Sequence, residues 1–207
     1  MGKLTTGLMI IILLVSLLLI GITTASVISD GNSDITKKAD LEKITNEVLD
    51  EILTNIQIRD QKGKFYEVDG VKKIQKIAIL ISPMVTQDIS LSKLTIQLNN
   101  GESLHQLSYS SYAEPLNQNS IFEHYIWDDI TGKNFGFISI CDLDGSIARY
   151  GIMNDCSDNA YLVFRLPSEM MLAKHDKIFI TLFPSTGITK VLELEAPLPI
   201  ESIVTFE

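Results

Sequence analysis

Cysteine is nearly absent from this chain, with two residues in 207, and the three histidines, His105, His124 and His175, lie far apart. Neither set repeats at the spacing that brings soft ligands together, which excludes a zinc finger or a helical His-pair metal enzyme. No Gly-rich phosphate loop, serine-hydrolase elbow or zinc-protease signature occurs, so the chain reads as a non-enzyme. Basic residues are also few: 17 Lys and Arg against 26 Asp and Glu leave a formal net charge of -9. Duplex binding depends on neutralised phosphates, and without a clustered basic face this balance excludes a general nucleic-acid binder. No Asn-x-Ser/Thr acceptor is present, which predicts a surface without the usual N-linked sugar.

Two further absences shape the first quarter of the chain. No charged residue occurs from Leu4 to Ser29, and no proline before Pro83. As a helix, the uncharged stretch would run about 39 Å at ~1.5 Å per residue, longer than a hydrocarbon core of about 30 Å. It can span a membrane, with Lys3 inside and the bulk of the chain outside by the positive-inside tendency. A secretory signal cleaved near Ala25 and a simple membrane anchor are the other readings of the same residues. Downstream, Leu41, Ile44, Val48 and Ile52 recur on one face, while Asp40, Glu42, Lys43, Glu47, Asp50 and Glu51 keep the opposite face wet. The spacing predicts one long helix from about Leu4 to about Thr54, with Gly31 as its weak point; it is apolar all round at first and then amphipathic. Such a helix needs lipid or other helices on every side, and moving it from lipid into a bundle of its own kind loses little hydrophobic stabilisation.

Beyond it the period changes from helical to strand-like. "KIAILIS" at Lys76 to Ser82 reads as a central strand ended by Pro83, and "SKLTIQL" alternates with Leu94, Ile96 and Leu98 on one face. "NNG" at Asn99 to Gly101 marks a hairpin into "SLHQLSYS". "NFGFISIC", "YLVFRL", "KIFITLF", "KVLELE" and "SIVTF" continue the pattern, with "FPSTGIT" joining two of them. Short strands with turn signals and no second helical stretch predict an antiparallel sandwich.

Taken in order, "MGKLTTGLMIIILLVSLLLIGITTASVI", "VKKIQKIAILISPM", "NFGFISICDLDGSI" and "DKIFITLFPSTGITKVLELEAPLP" resemble archaeal flagellin, the archaellin of the archaellum, over almost the whole chain. The resemblance implies an α+β fold of type IV pilin-like organisation. A long N-terminal hydrophobic α-helix (1–56) would be membrane-spanning before assembly and would form the filament core. An outer antiparallel immunoglobulin-like β-sandwich (57–207) would follow it. Its helix-bundle interface would use Leu8, Ile11, Leu14, Leu18, Ile22, Leu41, Ile44, Val48 and Ile52. The implied partners are copies of the chain or related subunits in a helical extracellular filament, together with archaellum export and motor machinery. A basic leader removed by a prepilin-type peptidase is also implied, and the chain as given shows none. A type IV adhesion pilus subunit uses the same helix; Thr5, where many bacterial pilins carry Glu, favours archaellin. A secreted or membrane-anchored β-sandwich binding module is the remaining alternative.

Three local features bear on chemistry. Cys141 and Cys156 enclose the turn-rich "DLDGSIARYGIMND" in a domain read as exported; a disulfide there would close a loop of about 15 residues, contributing about 3 kcal/mol, and two buried thiols are the alternative. Asp142 and Asp144 alternate before Gly145, with Ser146 following, a combination that can place hard oxygens around Ca²⁺. It is a fragment of an EF-hand loop lacking the later bidentate Glu, so a solvated Asp-rich turn competes; Asp155 and Asp158 would complete an ion site if the loop folds back. No other cofactor is expected. Glu193, Glu195 and Glu201 make the C-terminal strands acidic, whereas Arg59 to Lys76 is locally basic, so opposed patches could set one subunit's registry on the next.

Overall fold

The apolar run of "KIAILIS" has a simple cause: the strand containing it is covered on both faces. The computed structural model describes residues 56–117, 119–184 and 188–206. In chain order it contains β1 (Ile56–Val68), β2 (Val71–Pro83), β3 (Ile89–Ser90), β4 (Thr95–Asn99), β5 (Leu104–Pro115), α1 (Ile126–Asp129), β6 (Asn134–Cys141), α2 (Ser146–Tyr150), β7 (Ile152–Met153), β8 (Asn159–Arg165), β9 (Lys177–Phe183), β10 (Lys190–Glu195) and β11 (Ile203–Thr205). The predicted helix over Leu4 to Thr54, with its bundle positions Leu8, Ile11, Leu14, Leu18, Ile22, Leu41, Ile44, Val48 and Ile52, lies outside the described residues. Among those described, no helix is long and apolar enough to cross a membrane.

The strands run in the order β10-β9-β4-β5-β6-β8-β2-β1-β11, with β3 and β7 forming a separate pair. The long strand β5 joins the two halves: Leu104 to Leu107 pair with β4, and Ser108 to Pro115 with β6. Both halves contribute to one core. Ile77, Ile79 and Ile81 from β2, Phe135 and Phe137 from β6 and Phe164 from β8 pack in the same cluster as Ile96, Leu98, Ile178, Ile180 and Leu182. The two halves therefore face each other as the layers of a sandwich. On β4 the buried residues alternate with half-buried ones and on β9 with mostly exposed ones, the signature of a sheet with one wetter face.

The central strands also bury their other face. Ala78, Ile138, Tyr161 and Val163 meet Phe122, Ile126, Trp127 and Ile130 in a second cluster. The covering residues all come from the connection between β5 and β6, which is where the fold departs from the purely antiparallel sandwich expected. β5 and β6 pair in parallel, and parallel neighbours need a long crossover rather than a tight turn. That crossover contains a 3₁₀ turn at Ile121–Glu123 and the short helix α1.

Polar contacts fasten the crossover to the sheet. Trp127 donates through Nε1 to the Ile121 carbonyl at 2.7 Å and stacks on Phe122 with ring centroids 5.9 Å apart. Arg165 Nε donates to the Ile130 carbonyl at 2.9 Å and to that of Trp127 at 3.2 Å. Lys76, only 8% exposed, donates to the Phe122 carbonyl at 3.4 Å. The His124 ring closes the segment: Nδ1 accepts from the Ile126 N–H at 3.1 Å, so Nε2 bears the hydrogen that Pro115 O accepts at 3.0 Å.

β1 was not anticipated as a strand, although its signal was present. Asp69 and Gly70 have φ of 54° and 77°, and Val68 pairs with Val71 across them. This two-residue turn with positive φ at both positions matches the right-handed twist of its strands, and Asp-Gly is a pair that adopts it readily.

Two measurements test this packing in the detergent-dispersed full chain. Phe137→Ala should lower unfolding stability by about 3–5 kcal/mol, whereas Leu143→Ala, at a site 86% exposed, should change it by less than about 0.5 kcal/mol. Denaturant unfolding followed by tryptophan fluorescence reads both. Burial, followed by the nearby charges of Arg165 and Lys64, pushes the Lys76 ammonium down to about 8. The unfolded chain holds that proton more tightly, so the contribution of Lys76 to stability rises as pH increases through 8. Wild type should accordingly gain stability relative to Lys76→Met between pH 7.5 and 9.5.

Candidate functional site

Strand pairing brings two aspartates of the expected ion loop together. Cys141 at the end of β6 pairs with Asn159 at the start of β8. Asp142 and Asp158 are the adjoining residues, so they emerge side by side. The chain between them forms α2 and β7, and its N-terminal turn places Asp144 against the same point. Gly145 there has φ 74°, a conformation that suits a residue without Cβ.

The carboxylates of Asp142, Asp144 and Asp158 each offer an oxygen, and the three lie within 4.8 Å of one another. Their remaining capacity is spent on the loop backbone. Asp158 is buried, and its Oδ2 accepts from the N–H groups of Asn154 at 2.9 Å and Asp155 at 3.1 Å. Asp144 accepts from the Asn154 amide at 2.8 Å and from the Ser146 N–H at 2.9 Å. These two donors, the Asn154 amide foremost, hold its carboxyl down at about 2. Asp142 Oδ2 accepts from the Ala148 N–H at 3.2 Å, while its Oδ1 is buried with no hydrogen-bond partner. Two ligands of a cation bound at about 2.4 Å can be at most about 4.8 Å apart, so three hard oxygens at this separation suit Ca²⁺. Asp158 thus joins the Asp142 and Asp144 pair, while Asp155 turns instead to the Ser157 N–H at 2.8 Å.

The two cysteines lie at the end of β6 and in the loop that follows β7. Cys141 is half-buried and Cys156 exposed, each a free thiol in this structure. Loop closure falls to the aspartates, whose carboxylates tie Ser146, Ala148, Asn154 and Asp155 back to the strand ends. The histidines occupy three unrelated places. His105 Nε2 lies 2.9 Å from Glu169 on one surface, His175 Nδ1 lies 3.3 Å from Glu195 on another, and His124 is the buried lock of the crossover.

The arrangement is a β-rich domain carrying a loop of carboxylates suited to a hard cation. Comparison with known proteins narrows this class. No family model matches the chain. It is 26% identical to Flagellin B3 of Methanocaldococcus jannaschii over 209 residues, covering 97% of this chain and 94% of that protein. Its fold is similar to the crystal structure of archaeal flagellin FlaB1 from Methanocaldococcus jannaschii, with a TM-score of 0.64, 20% identity, and coverage of 73% of this chain and 95% of that one. It is also similar to the archaeal flagellum of Methanospirillum hungatei strain JF1, with a TM-score of 0.53, 10% identity, and coverage of 95% and 94%. The archaellin resemblance is borne out, and the β-rich domain has the archaellin-like fold.

If the three carboxylates take Ca²⁺, millimolar CaCl₂ should raise the thermal midpoint of chelator-treated protein, because a ligand that binds only the folded state stabilises it. Asp158→Asn should remove the response, and an unchanged midpoint in the wild type would leave the loop as a solvated turn.

Proposed function

We propose that this chain is a structural subunit of the archaellum, a helical extracellular filament used in swimming and surface attachment. The observation that carries this reading is the extent of the Flagellin B3 alignment: at 97% coverage it takes in the leading apolar segment as well as the strands. Residues 1–56 would span the membrane before assembly and then pack among copies of the chain, or related subunits, along the filament axis. Residues 57–207 would form the outer layer, contacting neighbours and resisting bending. The work is mechanical: helices carry torque and outer domains stiffen the shaft. Torque and export come from other machinery, and the surplus of negative charge favours no nucleic-acid partner. The similarity to flagellins, which are filament proteins, supports the non-enzymatic reading.

Assembly tests the proposal directly. Leu13→Asp or Leu18→Asp would hold an unpaired charge away from water at a cost of several kcal/mol and should abolish filaments seen by electron microscopy of sheared cell-surface material. Normal filaments from either variant, or a native N-terminus near Ser26 by Edman sequencing, would contradict a retained helical core.

A further inference from the structure

Three cations stand in register across adjacent strands. Lys64 on β1 is directly opposite Lys76 on β2, and Lys76 is directly opposite Arg165 on β8. Like charges directly opposite one another destabilise a sheet, and a carboxylate beside them is the usual remedy. The chain applies that remedy nearby: Lys62, on the same strand, contacts Asp60 at 2.7 Å, and Lys177 contacts Glu193 at 2.7 Å and Glu195 at 3.4 Å. No ion pair among the described residues includes Lys64, Lys76 or Arg165.

What surrounds the row is aromatic. Lys76 Nζ sits 4.7 Å from the Trp127 ring centroid and 5.6 Å from that of Tyr66, and Lys64 Nζ lies 5.7 Å from the Tyr66 ring. Ring faces attract cations but return only part of the hydration that a buried ammonium loses. The nine-tenths-buried Lys76 has one long side-chain hydrogen bond for three donors, Arg165 spends only Nε and Nη2 on the crossover carbonyls, and the Lys64 ammonium has no hydrogen bond among the described residues. The Tyr66 hydroxyl, half-buried beside Arg165, likewise has none there. The result is a set of convergent donors on β1, β2 and β8 whose acidic neighbour, the exposed Asp128 of α1, acts on Lys76 from a distance and forms no ion pair with any of them among the described residues. The downward push on the Lys76 ammonium, led by burial, has the same origin.

We propose that Lys64, Lys76 and Arg165, with the Tyr66 hydroxyl, form a receiving site for a carboxylate supplied by a second copy of this chain. The occupant follows from charge: each copy has nine more acidic than basic residues, 26 against 17, so a neighbour's surface is rich in carboxylates and this row is a local exception to its sign. The source of the carboxylate rests on the filament reading above; the existence of the site does not. In an assembled shaft the contact would fix the rotation of one outer domain against the next, since complementary charge sets registry.

Trp127, the single tryptophan of the chain, stands against the site and reports on it. Acetate would be titrated against chloride at constant ionic strength into detergent-dispersed full-length protein and into assembled filaments, with tryptophan fluorescence as the readout. The expected result is a saturable change in the dispersed chain, about tenfold weaker in Lys64→Gln and unaltered in the exposed control Lys93→Gln, and absent from filaments, where a neighbour already fills the site. Lys64 is the variant of choice because Lys76 and Arg165 also hold the crossover; Tyr66→Phe, which keeps the ring and removes only the hydroxyl, gives a second and independent weakening. No saturable change in the dispersed wild type would overturn the site. An equal response in dispersed and assembled protein would overturn the neighbouring copy as its source and assign it to free anions. A response from dispersed protein whose native material never yields filaments would overturn the filament reading and, with it, the second copy.

Discussion

The burial of β2, β8 and β6 on both faces is the constraint on which the rest of this domain depends. One face packs into the shared core of the sandwich, and the other is closed by the crossover through Phe122, Ile126, Trp127 and Ile130. Each large apolar side chain so buried contributes about 1.5–3 kcal/mol, and the second face enlists residues that a two-layer sandwich would leave wet. The parallel pairing of β5 with β6 makes this possible, because only a connection long enough to cross the sheet can also cover it. The two cations that hold its carbonyls, Lys76 and Arg165, are drawn into the sheet by the same closure.

Polar chemistry is placed by the ends of these strands. At one end of the β6 and β8 pair, three aspartates meet and bind the loop between them through backbone N–H groups. Toward the opposite end of β8, Arg165 lies in a row with Lys76 and Lys64. One cluster is anionic and suits a hard cation, and the other is cationic and suits a carboxylate. Each concentrates charge of one sign without an ion pair of its own among the described residues. In the filament proposed for this chain, such concentrations would favour particular ions and particular contacts over general stickiness.

Much of the sheet was legible beforehand. The bounds of "NFGFISIC", "KIFITLF" and "KVLELE" match β6, β9 and β10, because strand periodicity and turn residues are local properties. β1 went unread because Lys, Arg and Asp interrupt its alternation, although Asp69-Gly70 announced its hairpin. Of the candidate site, Asp142 and Asp144 stood out through the turn they belong to. Asp158 gained its place only through the pairing of Cys141 with Asn159.

By itself, the sequence determined a leading segment too apolar for water, a strand-rich remainder and the archaellin resemblance, all of which follow from composition, period and the order of short motifs. Tertiary structure alone decided that the crossover covers the central strands, that Asp158 joins the loop carboxylates and that Lys64, Lys76 and Arg165 align. Those outcomes depend on register between strands distant in the chain, where a slip of one residue turns a side chain to the opposite face, and no local pattern encodes that choice.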